Sequence, residues 1–185
     1  MDSGRRRWTI LPGQGDQPRL FEECLLPHLD TLYGLARRLT RDDDDAADLL
    51  QDTALRAFEK FHQLRHRGAV RAWLIKILTS IFLNRFAGDM DDERRAVATE
   101  PVVSETPEVA LLRRCDADTV EAALAELPAA FRLTVLLADV EEIPLREIAL
   151  LCACPVGTVA SRLARGRALL RVRLGHLRRA GAEEV

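Results

Sequence analysis

Between Arg19 and about Ala87, apolar residues recur at three- and four-residue steps, and strict alternation is absent. That spacing predicts helices. Ala46, Leu49, Leu50, Thr53, Ala57, Phe58 and Phe61 form one continuous face, behind a run of aspartates at Asp42–Asp45. Aspartates favour a helix start, because their carboxylates accept from free backbone N–H groups and oppose the positive end of the helix dipole. Asp48, Gln51, Asp52, Arg56 and Glu59 are left on the outer face. A second helix, "VRAWLIKILTSIFLNRF", buries Val70, Trp73, Leu74, Ile77, Leu78, Ile81 and Phe82, with Arg71, Lys76, Thr79, Ser80, Asn84 and Arg85 outside or at the rim. The segment "HQLRHRGA" between them is a basic loop carrying His66, Arg67 and Gly68.

The pattern lapses over "GDMDDERRAVATEPVVSETPE", where seven acids meet two arginines and two prolines and no apolar face can be drawn. Such a stretch is a linker. Helical periodicity then returns. "VEAALAELPAAFRLTVLLADVEE" reads as two helices split at Pro128, with Leu124, Leu127, Phe131, Val135 and Ala138 in a core. "PLREIALLCAC" places Leu145, Ile148, Ala149 and Cys152 on one face of a short helix. A break at Ala153–Pro155 follows, then a longer helix whose stripe is Val159, Leu163, Gly166, Leu170, Leu174 and Leu177, with Pro155 suited to the first helical position. Thr158, Ser161, Arg162 and Arg165 fall on a different arc near its start. Short hydroxyls and arginines at a helix start suit the DNA major groove, where arginine pairs with guanine O6 and N7. Short helix, tight turn and polar-fronted second helix make a helix-turn-helix. The expected architecture is all-α, two small helical domains joined by an acidic flexible linker. Residues 1–18 form a basic arm, 19–87 the first domain, 88–113 the linker, 114–180 the second domain and 181–185 a tail.

Charge and cysteine content narrow this little. The 185 residues carry a net charge of −2, so no partner follows from the total; the arginines gather at both ends. Of the four cysteines, Cys24, Cys115, Cys152 and Cys154, only the last two are close. Their C-x-C spacing is not a zinc spacing, and the expectation is buried small hydrophobes. His62 and His66 lie four apart without a carboxylate or thiol partner, so no metal and no cofactor is expected. No apolar run approaches the roughly 18 residues of a membrane helix. Arg5–Arg7 resembles a twin-arginine signal, but "WTILPGQGDQP" follows where an apolar region belongs. A cytoplasmic protein without membrane insertion is expected.

"DAADLLQDTALRAFEKF", "RAWLIKILTSIFLNRF" and "LPAAFRLTVLLADVEEIPLREIALLCACPVGTVASRLARGRALL", in this order around an acidic linker, resemble the extracytoplasmic-function sigma factors of the sigma-70 family. The resemblance implies a promoter-specificity subunit of bacterial RNA polymerase that catalyses nothing itself. It implies that Asp48, Gln51, Asp52 and Arg56 dock on the clamp helices of the polymerase largest subunit. His66, Arg67, Arg71, Lys76, Ser80, Asn84 and Arg85 would melt and read the minus-ten element. Thr158, Ser161, Arg162 and Arg165 would read the minus-thirty-five element, with the second domain near the polymerase flap. The linker would thread towards the active-site cleft and mimic nucleic acid by its charge. A restraining anti-sigma factor and a stress response are also implied. Some positions depart from the family: Ala160 stands where a basic residue is common, Glu142 and Ala153 where glycine is frequent, and Ser80 where asparagine is frequent. Gly166 replaces a usual alanine, which weakens a helix by roughly 1 kcal/mol.

Two other classes compete. An ordinary helix-turn-helix repressor or activator would use the N-terminal helices for dimerisation or sensing and would bind duplex DNA alone. A helical enzyme would need a nucleophile, base or metal cluster, and the sequence offers none.

Overall fold

The computed structural model describes residues 17–64, 66–85 and 117–183. Every regular element among them is helical. The chain divides into two compact units, one ending at Phe82 and the other beginning at Leu83. The expected linker and most of the N-terminal arm lie outside the described residues.

The first unit holds α1 (Gln17–Leu25), α2 (Leu29–Thr40), α3 (Asp43–Lys60) and α4 (Val70–Arg85), with 3-10 turns at Leu26–His28, Phe61–Gln63 and Arg67–Ala69. Helix α1 starts inside the segment expected to be an arm; Pro18, in its first turn, needs no intrahelical N–H bond there. Helix α2 ends at Arg41, whose φ of 64° is left-handed, and the Arg41 N–H reaches Arg37 O at 2.8 Å. Asp42 then caps α3: its Oδ1 accepts from the N–H groups of Asp44 and Asp45, both at 2.9 Å. Asp43, Asp44 and Asp45 fill the first turn, where the dipole favours negative charge. Helix α3 lays Ala46, Leu49, Thr53 and Ala57 against α2, and Thr53 Oγ1 donates to Leu49 O at 2.7 Å. Phe21 of α1 meets the rings of Phe58 and Phe61 edge to face, at 5.2 and 5.4 Å between centroids.

Several expectations change here: Leu50, Trp73 and Ile81, placed on the buried faces of their helices, are half-buried at the edges of those faces. Phe58 is 40% exposed, because its ring lies on α1 at the rim. Thr79 was expected outside and is fully buried. Ile75 is buried as well, so α4 is covered on a wider arc than its predicted stripe.

The second unit holds α5 (Ala117–Ala125), α6 (Ala129–Val135), a π turn (Leu136–Val140), α7 (Leu145–Leu151) and α8 (Val156–Glu183). Pro128 breaks α5 from α6 as expected, and Leu124, Leu127, Phe131 and Val135 are buried; Ala138, expected with them, is only half-buried, since it lies in the π turn. All of α6 is buried, including Arg132. The π turn closes with the Glu141 N–H on Leu136 O at 3.0 Å. Glu142 (φ 56°) and Ala153 (φ 47°) adopt the left-handed conformation that makes glycine the easier residue at such turns. Helix α8 begins one residue later than expected: Pro155 stands just before it, and its carbonyl accepts from Thr158 and Val159 at 2.9 and 3.2 Å. It also runs past residue 180 to Glu183. Cys152 and Cys154 are half-buried rather than core residues, since they flank the α7–α8 turn; Cys24 is buried.

Gly166 gains a reason here. A Cβ at this position would stand 2.8 Å from Val135 Cγ2 and 3.4 Å from both Cβ and O of Phe131. The missing side chain lets α8 close onto α6. Gly166→Ala adds about 1 kcal/mol of helix propensity but overpacks a core in which Val135 is buried and β-branched, at about 1–3 kcal/mol. The net expectation is a loss of about 1 kcal/mol, read from urea unfolding. Val135→Ala should be less damaging in the Gly166→Ala background than in the wild type.

Candidate polymerase and nucleic-acid interfaces

On α3, Asp48 and Gln51 are exposed, Asp52 is half-buried, and Arg56 is exposed and paired with Glu59 at 3.6 Å. Helical spacing brings these four onto one face. In the middle of that face stands Leu55, 59% exposed. Phe58 borders it. An apolar centre with a polar rim is the anatomy of a protein interface. Sequence reasoning passed over Leu55 because it broke the polar pattern; its place seven residues after Asp48 was the available signal.

Helix α4 collects part of the second group. Lys76, Ser80 and Asn84 follow at four-residue steps and share one face, with Lys76 half-buried and the other two exposed. Half-buried Trp73 lies on the same side, three residues before Lys76. An aromatic plane beside a cation and an amide is suited to single-stranded bases. Arg71 and Arg85 are exposed but fall on other arcs of α4. His66 is exposed in the preceding turn, where its carbonyl accepts from the Ala69 N–H at 3.1 Å. The Arg67 side chain lies outside the described residues.

Helices α7 and α8 turn through 107° at a break of four residues or fewer, within the range of a DNA-reading helix-turn-helix. The Cys154 N–H closes the turn on Ala149 O at 3.0 Å. Ile148 and Ala149 are buried under it. At the start of α8, Ser161 is exposed and Thr158 half-buried, with the Ser161 hydroxyl donating to Thr158 O at 2.9 Å. Arg162 differs from a side chain open to a groove. It is 6% exposed, and its Nη1 points to Cys154 Sγ at 3.9 Å, beneath the turn. Arg165 is half-buried, and its Nε has no hydrogen-bond partner. Of the two arginines, Arg165 is the more exposed, although its Nε itself is enclosed.

Among the described residues no group of three or more His, Cys, Asp or Glu side chains is arranged to hold a metal ion. No single described helix is long and apolar enough to cross a membrane; the bent pair of similar composition is the helix-turn-helix itself.

Comparison with known proteins agrees with this geometry. Residues 25–89 match Sigma-70 region 2, and residues 117–170 match Sigma-70, region 4. The chain is 34% identical over 170 residues to the ECF RNA polymerase sigma factor SigE of Mycolicibacterium smegmatis, covering 88% of this chain but only 65% of that protein. It is 33% identical over 165 residues to SigM of Mycobacterium tuberculosis, covering 85% of this chain and 78% of that one. Among solved structures, the sigma factor RpoE of Bartonella quintana, in complex with the anti-sigma factor NepR, aligns with a TM-score of 0.62 at 26% identity, over 85% of this chain and 98% of that one. With two helical modules in this order and relatives matched across most of its length, the chain belongs to the extracytoplasmic-function sigma factors of the sigma-70 family.

Proposed function

We propose that this chain directs bacterial core RNA polymerase to particular promoters, assists their melting and catalyses nothing itself. The observation that carries this over a self-sufficient DNA-binding regulator is Leu55, an exposed leucine ringed by Asp48, Gln51, Asp52 and Arg56. That face calls for a protein partner, and the clamp helices of the polymerase largest subunit fill the role. Trp73, Lys76, Ser80 and Asn84 form the strand-holding face for the minus-ten element, with His66, Arg67, Arg71 and Arg85 supplying cations around it. A base released from the duplex stacks on the aromatic plane while the backbone is held by charge. Thr158, Ser161 and Arg165 read the minus-thirty-five element, and Arg162 contributes by holding the turn from which α8 enters the groove. The second unit docks near the polymerase flap. The protein works in the cytoplasm and is held by an anti-sigma partner until a stress signal frees it, as the RpoE–NepR complex supports.

Reconstitution with core polymerase and mapping of transcript start sites tests the reading. Initiation at no defined site rejects it. Within that assay Arg165→Ala should lower promoter-specific transcription by the equivalent of about 1–3 kcal/mol and relax the preference at one base pair. An unchanged start-site profile would remove Arg165 from the reading face.

A further inference from the structure

A reading helix is useful only if its rotation and tilt are fixed. Gly166 lets α8 close on Phe131 and Val135, and the buried Val159, Leu163, Leu170 and Leu174 seat the same stripe of α8 in the core. Apolar packing is non-directional, so a directional polar contact refines the angle it leaves. Next to Gly166, Arg167 forms a two-bond fork with Asp139: Nε donates to Oδ2 at 3.0 Å and Nη2 to Oδ1 at 2.6 Å. The partners lie 28 residues apart, so the fork joins two elements rather than two turns of one helix. Asp139 is carried by the π turn Leu136–Val140. Its side chain is 19% exposed and that of Arg167 49%, so the carboxylate side is shielded from water. Further along α8, Arg173 pairs with Glu126, just past the end of α5. Two planar groups joined by parallel bonds resist rotation as a point charge cannot.

We infer that Asp139 and Arg167 are positioning residues for promoter reading: their fork fixes the rotation of α8 and so the aim of Thr158, Ser161 and Arg165. This rests on the reading of α8 as the base-reading helix. Arg167 lies about 200° of helical turn beyond Arg165, which points it at the scaffold and not at the groove.

The test uses the full chain assembled with core polymerase, carrying Arg167→Lys, Arg167→Gln or Asp139→Asn. Arg167→Lys keeps the charge and loses the fork. It should lower the ratio of promoter-specific to non-specific DNA binding roughly tenfold, the scale of one loosened base contact. Asp139→Asn should lower the same ratio although it removes a negative charge from a DNA-binding domain. In all three the melting temperature should move by a few degrees at most, since partly exposed pairs add little stability. The salt dependence of binding should keep its slope. If Arg167 is a phosphate contact instead, Arg167→Lys will behave as wild type, Asp139→Asn will bind more tightly, and Arg167→Gln will reduce the slope by about one; that pattern overturns the inference. It is equally overturned if promoter reading is lost only in step with unfolding. A wild-type chain that directs no initiation refutes the parent reading, whereas the fork is refuted by variants that match wild type in a working assembly.

Discussion

Asp48→Arg is expected to abolish assembly with core RNA polymerase while leaving the fold intact. Asp48 is exposed, lies beyond the first turn of α3 and has Leu55 as a neighbour on its face. Reversing its charge should leave the helix start, made by Asp42 and the three aspartates after it, undisturbed. At a docked interface, a charge facing one of like sign costs several kcal/mol, or about two decades in affinity for 3 kcal/mol. Native gel electrophoresis with core enzyme reads the loss, and circular dichroism checks the fold. Leu55→Ala should weaken the same assembly without altering α3, because a 59% exposed leucine adds little to the core. If Asp48→Arg assembles as well as wild type, the α3 face has been assigned to the wrong partner.

The second large effect lies at Arg132. Its side chain is 3% exposed, and Nη1 donates to Leu127 O at 2.7 Å and to Ala125 O at 3.3 Å. A buried cation thereby satisfies carbonyls at the end of α5, where the helix dipole is negative. Arg132→Ala removes charged hydrogen bonds worth about 1.5–3 kcal/mol and opens a cavity in a fully buried helix. A local loss of about 3 kcal/mol should appear as roughly a hundredfold faster hydrogen exchange of the α5 and α6 amides. Arg132→Met refills the volume but leaves the carbonyls unanswered, so it should recover only part. Unchanged exchange in Arg132→Ala would mean that water replaces the guanidinium.

The helices themselves were legible because each rests on a local signal. Aspartates open α3, Pro128 separates α5 from α6, and apolar steps of three and four mark their faces. The chemistry of single side chains was less legible, because helical spacing fixes an arc and not what covers it. Arg162 and Arg165 share one composition and nearly one arc; only the fold of the α7–α8 turn brings Cys154 over the first of them. Thr79 looked like a rim residue because α4 is wrapped by neighbours that periodicity does not count. Gly166 read as a local weakness until Val135 appeared opposite it. Asp139 and Arg167 are separated by a break, a turn and a helix, and no sequence pattern pairs them.

The aromatic contacts of Phe21 bear on where this protein can be cut. The match to Sigma-70 region 2 begins at residue 25, four positions after the ring that rests on Phe58 and Phe61. A fragment trimmed to that boundary would uncover the buried Phe61 and bare the half-covered ring of Phe58 further, so a fragment that keeps the whole of α1 from Gln17 is expected to self-associate less.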